Sequence, residues 1–248
     1  MPRAHRIFLP GHIWHITDRC HRREFLLKIR RDRRCWLHWL REARRRFGLC
    51  VLNYIVTRNH IHLLVLDRGC GEIAASMQLV AGRAGQAYNE RTGRLGAFWQ
   101  DRYHATAVES DEHLMRCMAY IDLNMVRAGV VRHPAEWAES GYCEIQRLPQ
   151  RYRIIDTEAL CRLTGCESPH ALRDRLGKLT ERFGPELAQR DPAWSKSVAV
   201  GSRAFLEGIQ RGLGHRANQR AVEETGGMWV LREPKATYKV DFRSESCF

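Results

Sequence analysis

The stretch NHIHLLV, residues 59–65, sets His60 and His62 one residue apart in an otherwise apolar run. Side chains in a strand alternate faces, so both imidazoles point one way and Ile61, Leu63 and Val65 point the other, with about 7 Å between the two rings along the strand. Two imidazoles on one pleat can converge on a metal ion. The same spacing also suits two surface or hydrogen-bonded histidines, so a third ligand and a reactive group have to be found. Tyr120 and Asn124 in CMAYIDLNMVRAG are four residues apart and share a face of the helix expected there. Two imidazoles and an amide oxygen suit Mg²⁺ or Mn²⁺ better than a dedicated zinc cage. Tyr120, one turn before that amide, would stand near whatever the metal holds. Taken alone, Tyr120 reads equally as a core residue beside Met118, Ile121 and Leu123, and Asn124 as a helix-end cap.

Positioning these groups requires a sheet and at least one helix. GHIWHITDRC (11–20) carries Ile13, Ile16 and Thr17 and reads as a strand. Trp36, Trp39, Leu40, Ala43 and Phe47 follow at helical spacing, with arginines on the remaining face and Gly48 as the stop. LCVLNYIVTRN (49–59) and HIHLLVLD (60–67) read as adjacent antiparallel strands. A long helix ending at Gly93, a strand in RYHATAVES and a helix from Asp111–Glu112 to Gly129 complete the series. The order β-α-β-β-α-β-α is that of a ferredoxin-like split βαβ. The expected class is α+β, an antiparallel sheet with helices on one face. The pattern breaks near 145–155, which divides the chain into residues 1–148 and a mostly helical extension, 149–248. Within the extension, DTEALCRLTG, SPHALRDRLGKLTERFG and SVAVGSRAFLEGIQRGL read as helical. The first part of it suits a plain packing extension better than a small DNA-binding unit. The last twenty or so residues read as irregular, with RSESCF as a disordered tail.

The 248 residues can bury a core without staples. No run is long and apolar enough for a membrane span, and no signal peptide is evident, so a cytosolic protein is expected, in the bacterial cytoplasm or nucleoid. Nine cysteines are scattered without a CxxC pair, which argues against a zinc ribbon and for free thiols. The formal net charge is +13, and residues 1–50 hold fourteen Lys/Arg against four Asp/Glu. An arginine-rich patch of this kind points to nucleic-acid phosphate, the alternative being a solvated basic surface. The candidate contacts are Arg22, Arg23, Arg30, Arg31, Arg33 and Arg34, then Arg41, Arg44, Arg45 and Arg46 on the first helix. Trp99, Arg102 and Tyr103 could stack on or grip an unpaired base, or Trp99 and Tyr103 could anchor the core. His15 and His104 read as structural.

Taken together, GHIWHIT, REARRRFG, NYIVTRNHIHLLV, FWQDRYHATAV and AYIDLNMVRAG resemble the single-tyrosine HUH transposases, and among them the REP-associated tyrosine transposases and their relatives. The resemblance spans roughly residues 5–145. It implies a ferredoxin-like catalytic domain, a divalent metal on His60 and His62 with Asn124 as third ligand, and Tyr120 as the nucleophile. The implied partner is single-stranded or hairpin DNA with palindromic repeats, cleaved and rejoined through a 5′-phosphotyrosine by a monomer or homodimer. One position departs from the pattern: Met125 stands where the family usually has proline, so the helix could run on towards Arg127 and Gly129. The competing readings are a domesticated hairpin DNA- or RNA-binding protein that no longer cuts, a replication initiator or relaxase, and a metallohydrolase that uses water.

Overall fold

The computed structural model describes residues 8–147, 152–183, 191–217 and 220–232. β1 (Ile13–Arg19) leads through a turn at His21–Arg23 to α1 (Arg30–Phe47), followed by β2 (Cys50–Val56) and β3 (His60–Leu66). α2 (Glu72–Thr92), β4 (His104–Val108) and α3 (Glu112–Asp122) follow, then a single further turn, α4 (Asn124–Arg127). Gly48 closes α1 in the left-handed region at φ 69, where its N–H bonds to the Arg44 carbonyl. A side chain would be strained there, which is why the amphipathic run stops at that residue.

The first four strands lie in the order β2-β3-β1-β4, all antiparallel. That is the split βαβ arrangement, with β3 inserted between the two parallel strands of the first βαβ unit. α1 and α2 pack along each other as its helical pair. β3 is buried throughout its centre, Ile61, Leu63 and Val65 on one face and His62 and Leu64 on the other. Both faces of the sheet are therefore covered, and α3 is the element over the histidine face.

The sheet does not end at β4. β5 (Ser197–Gly201) pairs with it in parallel, and β7 (Met228–Arg232) and β6 (Ala221–Thr225) follow to give seven strands. Residues beyond 148 thus supply three strands to the sheet as well as α6 (Thr157–Thr164), α7 (Pro169–Phe183), α8 (Ala193–Lys196) and α9 (Arg203–Leu213). α5 (Gly141–Gln146) precedes them. SVAVG, read above as the start of a helix, is a strand, because its alternating valines can pair beside β4 only in extended form. β6 and β7 form a hairpin across Gly226 and Gly227, at φ 58 and 71, in part of the region read as irregular. A Gly-Gly step between β-rich runs is a recognised hairpin signal. The RSESCF tail lies outside the described residues. α6 and α7 pack on α3, with Leu160, Leu172 and Leu176 buried, so this part of the extension is scaffold for the helix that carries Tyr120.

Arg33 is not on the surface. Its Nε donates to Glu139 Oε2 at 3.0 Å, Nη1 donates to the carbonyls of Leu27 and Lys28, and the guanidinium stacks 4.6 Å from the Trp137 ring. The expectation that it contacts DNA is corrected: its donors are taken up inside the protein. Arg30, with a side chain 58% exposed, adds a second bond to Glu139 at 2.8 Å. Truncating Glu139 to alanine leaves Arg33 buried without its counter-charge and is expected to remove about 3–5 kcal/mol of stability. Arg30→Ala should remove less than about 1 kcal/mol. Urea denaturation of the two variants measures both; equal small losses would show that the buried pair does not hold the α1 entrance in place.

Candidate functional site

β-Sheet register assembles the site. Thr17 of β1 lies opposite His62 on one side and His104 on the other, and Arg19 lies opposite His60. His15, Thr17, Arg19, His60, His62 and His104 therefore share one face of three neighbouring strands. α3 crosses that face and brings Tyr120 to His62, ring centroids 5.9 Å apart and nearly perpendicular. The His60 and His62 rings are 5.1 Å apart. Asn124 Nδ2 donates to His62 Nε2 at 2.9 Å. Both histidines, the tyrosine and the asparagine line a single cleft of about 410 Å³, together with Thr17, Arg19, Arg102, His104, Arg127 and Lys196, among others.

Each imidazole is held from behind. Asn59 donates its amide nitrogen to the Arg23 carbonyl, which turns its oxygen to His60 Nδ1 at 2.8 Å. An amide oxygen can only accept, so His60 Nδ1 carries a proton, and in the neutral ring the lone pair is on Nε2. His62 Nδ1 lies 2.8 Å from His15 Nε2, and His15 Nδ1 donates to the Trp194 carbonyl at 2.7 Å. Burial drives both of these rings towards the neutral form: His15 falls from 6.5 to about 3, and His62 falls well below 6.5, helped by the charges of its neighbours His15 and His60. His104 donates from Nε2 to the Ser197 carbonyl, where Thr106 Oγ1 also donates.

Helix α3 breaks at Leu123 (φ −77, ψ 1) and resumes for one turn at Asn124. Met125 does let the chain continue helically as far as Arg127, and Gly129 then takes φ 65. The extra turn folds Arg127 back: its Nη2 donates to the Tyr120 carbonyl at 2.7 Å, and its guanidinium carbon sits 4.1 Å from the Tyr120 ring centre. Sequence reasoning gave Arg127 no role, although VRAG follows Asn124 directly. The signal was its spacing, seven residues or two turns after the tyrosine. His15 was read as structural, and no local pattern could show that it sits on the His62 ring.

The donor set fits a divalent ion. Burial directs His62 towards the neutral form, as an imidazole ligand must be. Asn124 already meets His62 Nε2, and a half-turn of its amide exchanges nitrogen for oxygen at that point. Among the described residues no group of three His, Cys, Asp or Glu could hold a metal, so a two-imidazole, one-amide set is what the cleft offers. Such a set leaves coordination positions for water and phosphate oxygen.

The remaining sequence candidates separate by place. Arg22 and Arg23 are exposed in the turn that Asn59 grips, beside His60. Arg31 and Arg34 are exposed in the first turns of α1 at that same end. Arg41, Arg44 and Arg45 lie at the far end of α1 and line a second cleft with Arg68, Tyr152 and Arg153. Arg45 and Arg46 both bond to Glu42. Trp99 donates to the Ala81 carbonyl and packs on Phe98, which makes it an anchor for the loop before β4. Tyr103 is half-buried and stacks on Phe8 at 6.5 Å, while exposed Arg102 lines the same cleft as His60 and Tyr120.

The cleft thus combines a ferredoxin-like sheet carrying paired imidazoles with a tyrosine and an amide on the crossing helix. Residues 10–124 match the family model described as IS200-like transposase. The fold is shared with a solved structure of a REP-associated tyrosine transposase bound to a REP hairpin, at 20% identity and a TM-score of 0.50. That likeness covers 62% of this chain and 90% of the other. No curated protein gives a significant sequence match. No helix among the described residues is long and apolar enough to cross a membrane.

Asp122, between Tyr120 and Asn124, faces away from the cleft and accepts from Asn53 Nδ2 at 3.0 Å. Burial pushes its carboxyl up from 3.8 to about 7. The folded state therefore keeps a proton that the unfolded state has lost, and stability falls as pH rises from about 4 to about 7. The full difference is worth roughly 4 kcal/mol at about 1.4 kcal/mol per tenfold change in acidity. Asp122→Asn is expected to be more stable than wild type at pH 8, with the gap closing towards pH 4. Chemical denaturation at the two pH values checks the sign; a gap that widens on acidification would refute the assignment.

Proposed function

We propose that this protein cleaves and rejoins single-stranded DNA beside hairpins, with Tyr120 as the nucleophile. The observation that carries this reading is the meeting of Tyr120, His60, His62 and Asn124 in one cleft of one chain. A divalent cation, Mg²⁺ or Mn²⁺, held by His60, His62 and Asn124 would supply positive charge to the non-bridging oxygens of the scissile phosphate. The Tyr120 oxygen attacks phosphorus, the bond from phosphorus to the 3′ oxygen breaks, and that oxygen leaves as a 3′-hydroxyl after taking a proton. The product is a 5′-phosphotyrosine, which keeps the bond energy for rejoining. A free phenol loses its proton near pH 10. The Arg127 guanidinium, 4.1 Å from the ring centre, favours the phenolate as charge develops. Attack in cis is supported by the completeness of the cleft within a single chain, in a monomer or in each half of a homodimer.

Hairpin DNA as the substrate is supported by the description of a solved structure that shares the fold, a REP-associated tyrosine transposase bound to a REP hairpin. It is also supported by the arginines of α1. The eighteen residues of that helix extend about 27 Å at 1.5 Å per residue, or about eight base pairs at 3.4 Å each. Arg22, Arg23, Arg31 and Arg34 mark the end beside His60, with Arg30 tied to Glu139, and Arg41, Arg44, Arg45 and Arg46 mark the other end. Phosphate contacts along such a strip hold a stem in place without reading its sequence.

Wild-type protein with Mg²⁺ is expected to nick labelled hairpin DNA and leave a protein–DNA adduct that survives a denaturing gel. EDTA should abolish the nick, and Tyr120→Phe should lower it by at least about a thousandfold with hairpin affinity unchanged. Nicking without an adduct would replace this reading with water-based hydrolysis. Binding without nicking would leave a non-cleaving hairpin binder. For the strip, replacing Arg45 and Arg46 by alanine is expected to lower the slope of log K against log salt by up to about 1.8 for long stems. A four-base-pair stem should not register the change; equal effects on both stems would place the DNA elsewhere.

A further inference from the structure

One backbone contact behind the site comes from the C-terminal extension. The carbonyl of Trp194, at the start of α8, accepts from His15 Nδ1 at 2.7 Å. His15 is fully buried on β1, and its Nε2 lies 2.8 Å from His62 Nδ1. Their rings lie nearly parallel, 5.0 Å apart and 14° from coplanar orientation.

A carbonyl oxygen has no proton to give. The hydrogen in the first contact therefore belongs to His15 Nδ1. A neutral imidazole carries only one N–H, so His15 Nε2 is an acceptor. The hydrogen in the second contact must then come from His62 Nδ1, and by the same rule His62 Nε2 carries the lone pair. The placement of the Asn124 amide nitrogen at that lone pair agrees with the same direction.

We infer that His15 is a positioning residue that passes the acceptor character of the Trp194 carbonyl to His62 and so keeps the metal-facing nitrogen of His62 unprotonated. The inference deepens the proposed function and rests on its assignment of His62 as a ligand. It gives residues near 194 a task at the site: they fix which nitrogen of a ring on β3 can bind an ion. His60 has its tautomer set separately, by Asn59. The two ligands are thus prepared by unrelated parts of the chain, one by the local loop and one through the sheet. Without His15, the His62 N–H loses its buried acceptor. The ring can then turn or shift its proton to Nε2, where it would donate to the oxygen of a flipped Asn124 and block the ion.

Two measurements on the full chain test this. The first needs no metal: long-range ¹H–¹⁵N spectra of histidine-labelled protein, with His62 assigned by its loss in His62→Gln. Wild type is expected to show His62 as the Nδ1–H tautomer at pH 7.5, and the Nε2–H form would overturn the inference outright. The second is Mn²⁺ affinity followed by the EPR signal of the free ion. His15→Leu is expected to lower affinity by roughly 10–100-fold, the size usual for loss of a partner behind a ligand. His15→Gln, whose amide oxygen can accept from His62, should recover most of it and keep the Nδ1–H signal. Affinity within twofold of wild type in a folded His15→Leu protein would overturn the inference; should that variant not fold, the wild-type spectrum and the glutamine variant decide. If wild type binds no Mn²⁺ while the Nδ1–H signal is present, the metal reading fails and the hydrogen-bond relay stands.

Discussion

A buried imidazole has two nitrogens, and an unpaired one is expensive to leave in a low-dielectric interior. His62 sits at that constraint. Its side chain is 3% exposed, one nitrogen faces His15 and the other faces Asn124. Three separate segments must therefore be in register at once: β1 must pair with β3 so that residue 15 lies diagonally from 62, α3 must cross at the right turn, and α8 must offer a carbonyl. The chemistry proposed for the cleft needs the same arrangement. Satisfying His62 and building the site are one structural requirement.

Charge is divided along the same lines. Inside the fold, arginines act on particular groups: Arg127 closes over Tyr120, and Arg33 is consumed by Glu139 and two carbonyls. The exposed ones line the outer side of α1. A long basic run in a sequence therefore mixes two kinds of arginine. The buried ones fix the helix whose exposed ones can meet phosphate, and the distinction is made by helical phase. Arg33 falls on the face of Trp36, Leu37 and Leu40, while Arg31, Arg34 and Arg45 fall outside it.

The ferredoxin-like half of the fold was legible because its signals are local. Apolar alternation marks the strands, 3.6-residue spacing marks α1, and Gly48 marks its end. His60, His62, Tyr120 and Asn124 were legible as a set through spacing and family resemblance together, and the structure brings them to one cleft. The extension was read less well. SVAVG is too short to separate strand from helix by periodicity, and its pairing partner β4 is some ninety residues away in the chain. The contacts of His15, read as structural, and of Arg127, given no role, were hidden for a related reason. Their importance lies in what they touch: a ring 47 residues distant for His15, and a tyrosine reached only because the helix breaks and restarts for Arg127.

That break decides how Tyr120 and Asn124 stand in the cleft. A straight helix would carry Asn124 directly above Tyr120 and point Arg127 along the next turn. With Leu123 at ψ 1 the axis shifts, Asn124 reaches His62, and Arg127 swings back over the tyrosine ring to cap the Tyr120 carbonyl. Proline after the asparagine would force such a departure by removing a donor. Here Met125, which retains its N–H and is buried, occupies that place, and its carbonyl accepts from Val130 and Val131. The closing loop thus pulls on the turn from its far side. The bend that a proline would impose covalently is obtained in this chain by packing and by backbone bonds from the loop, so the tyrosine's environment depends on residues 125–131 as much as on the helix that carries it.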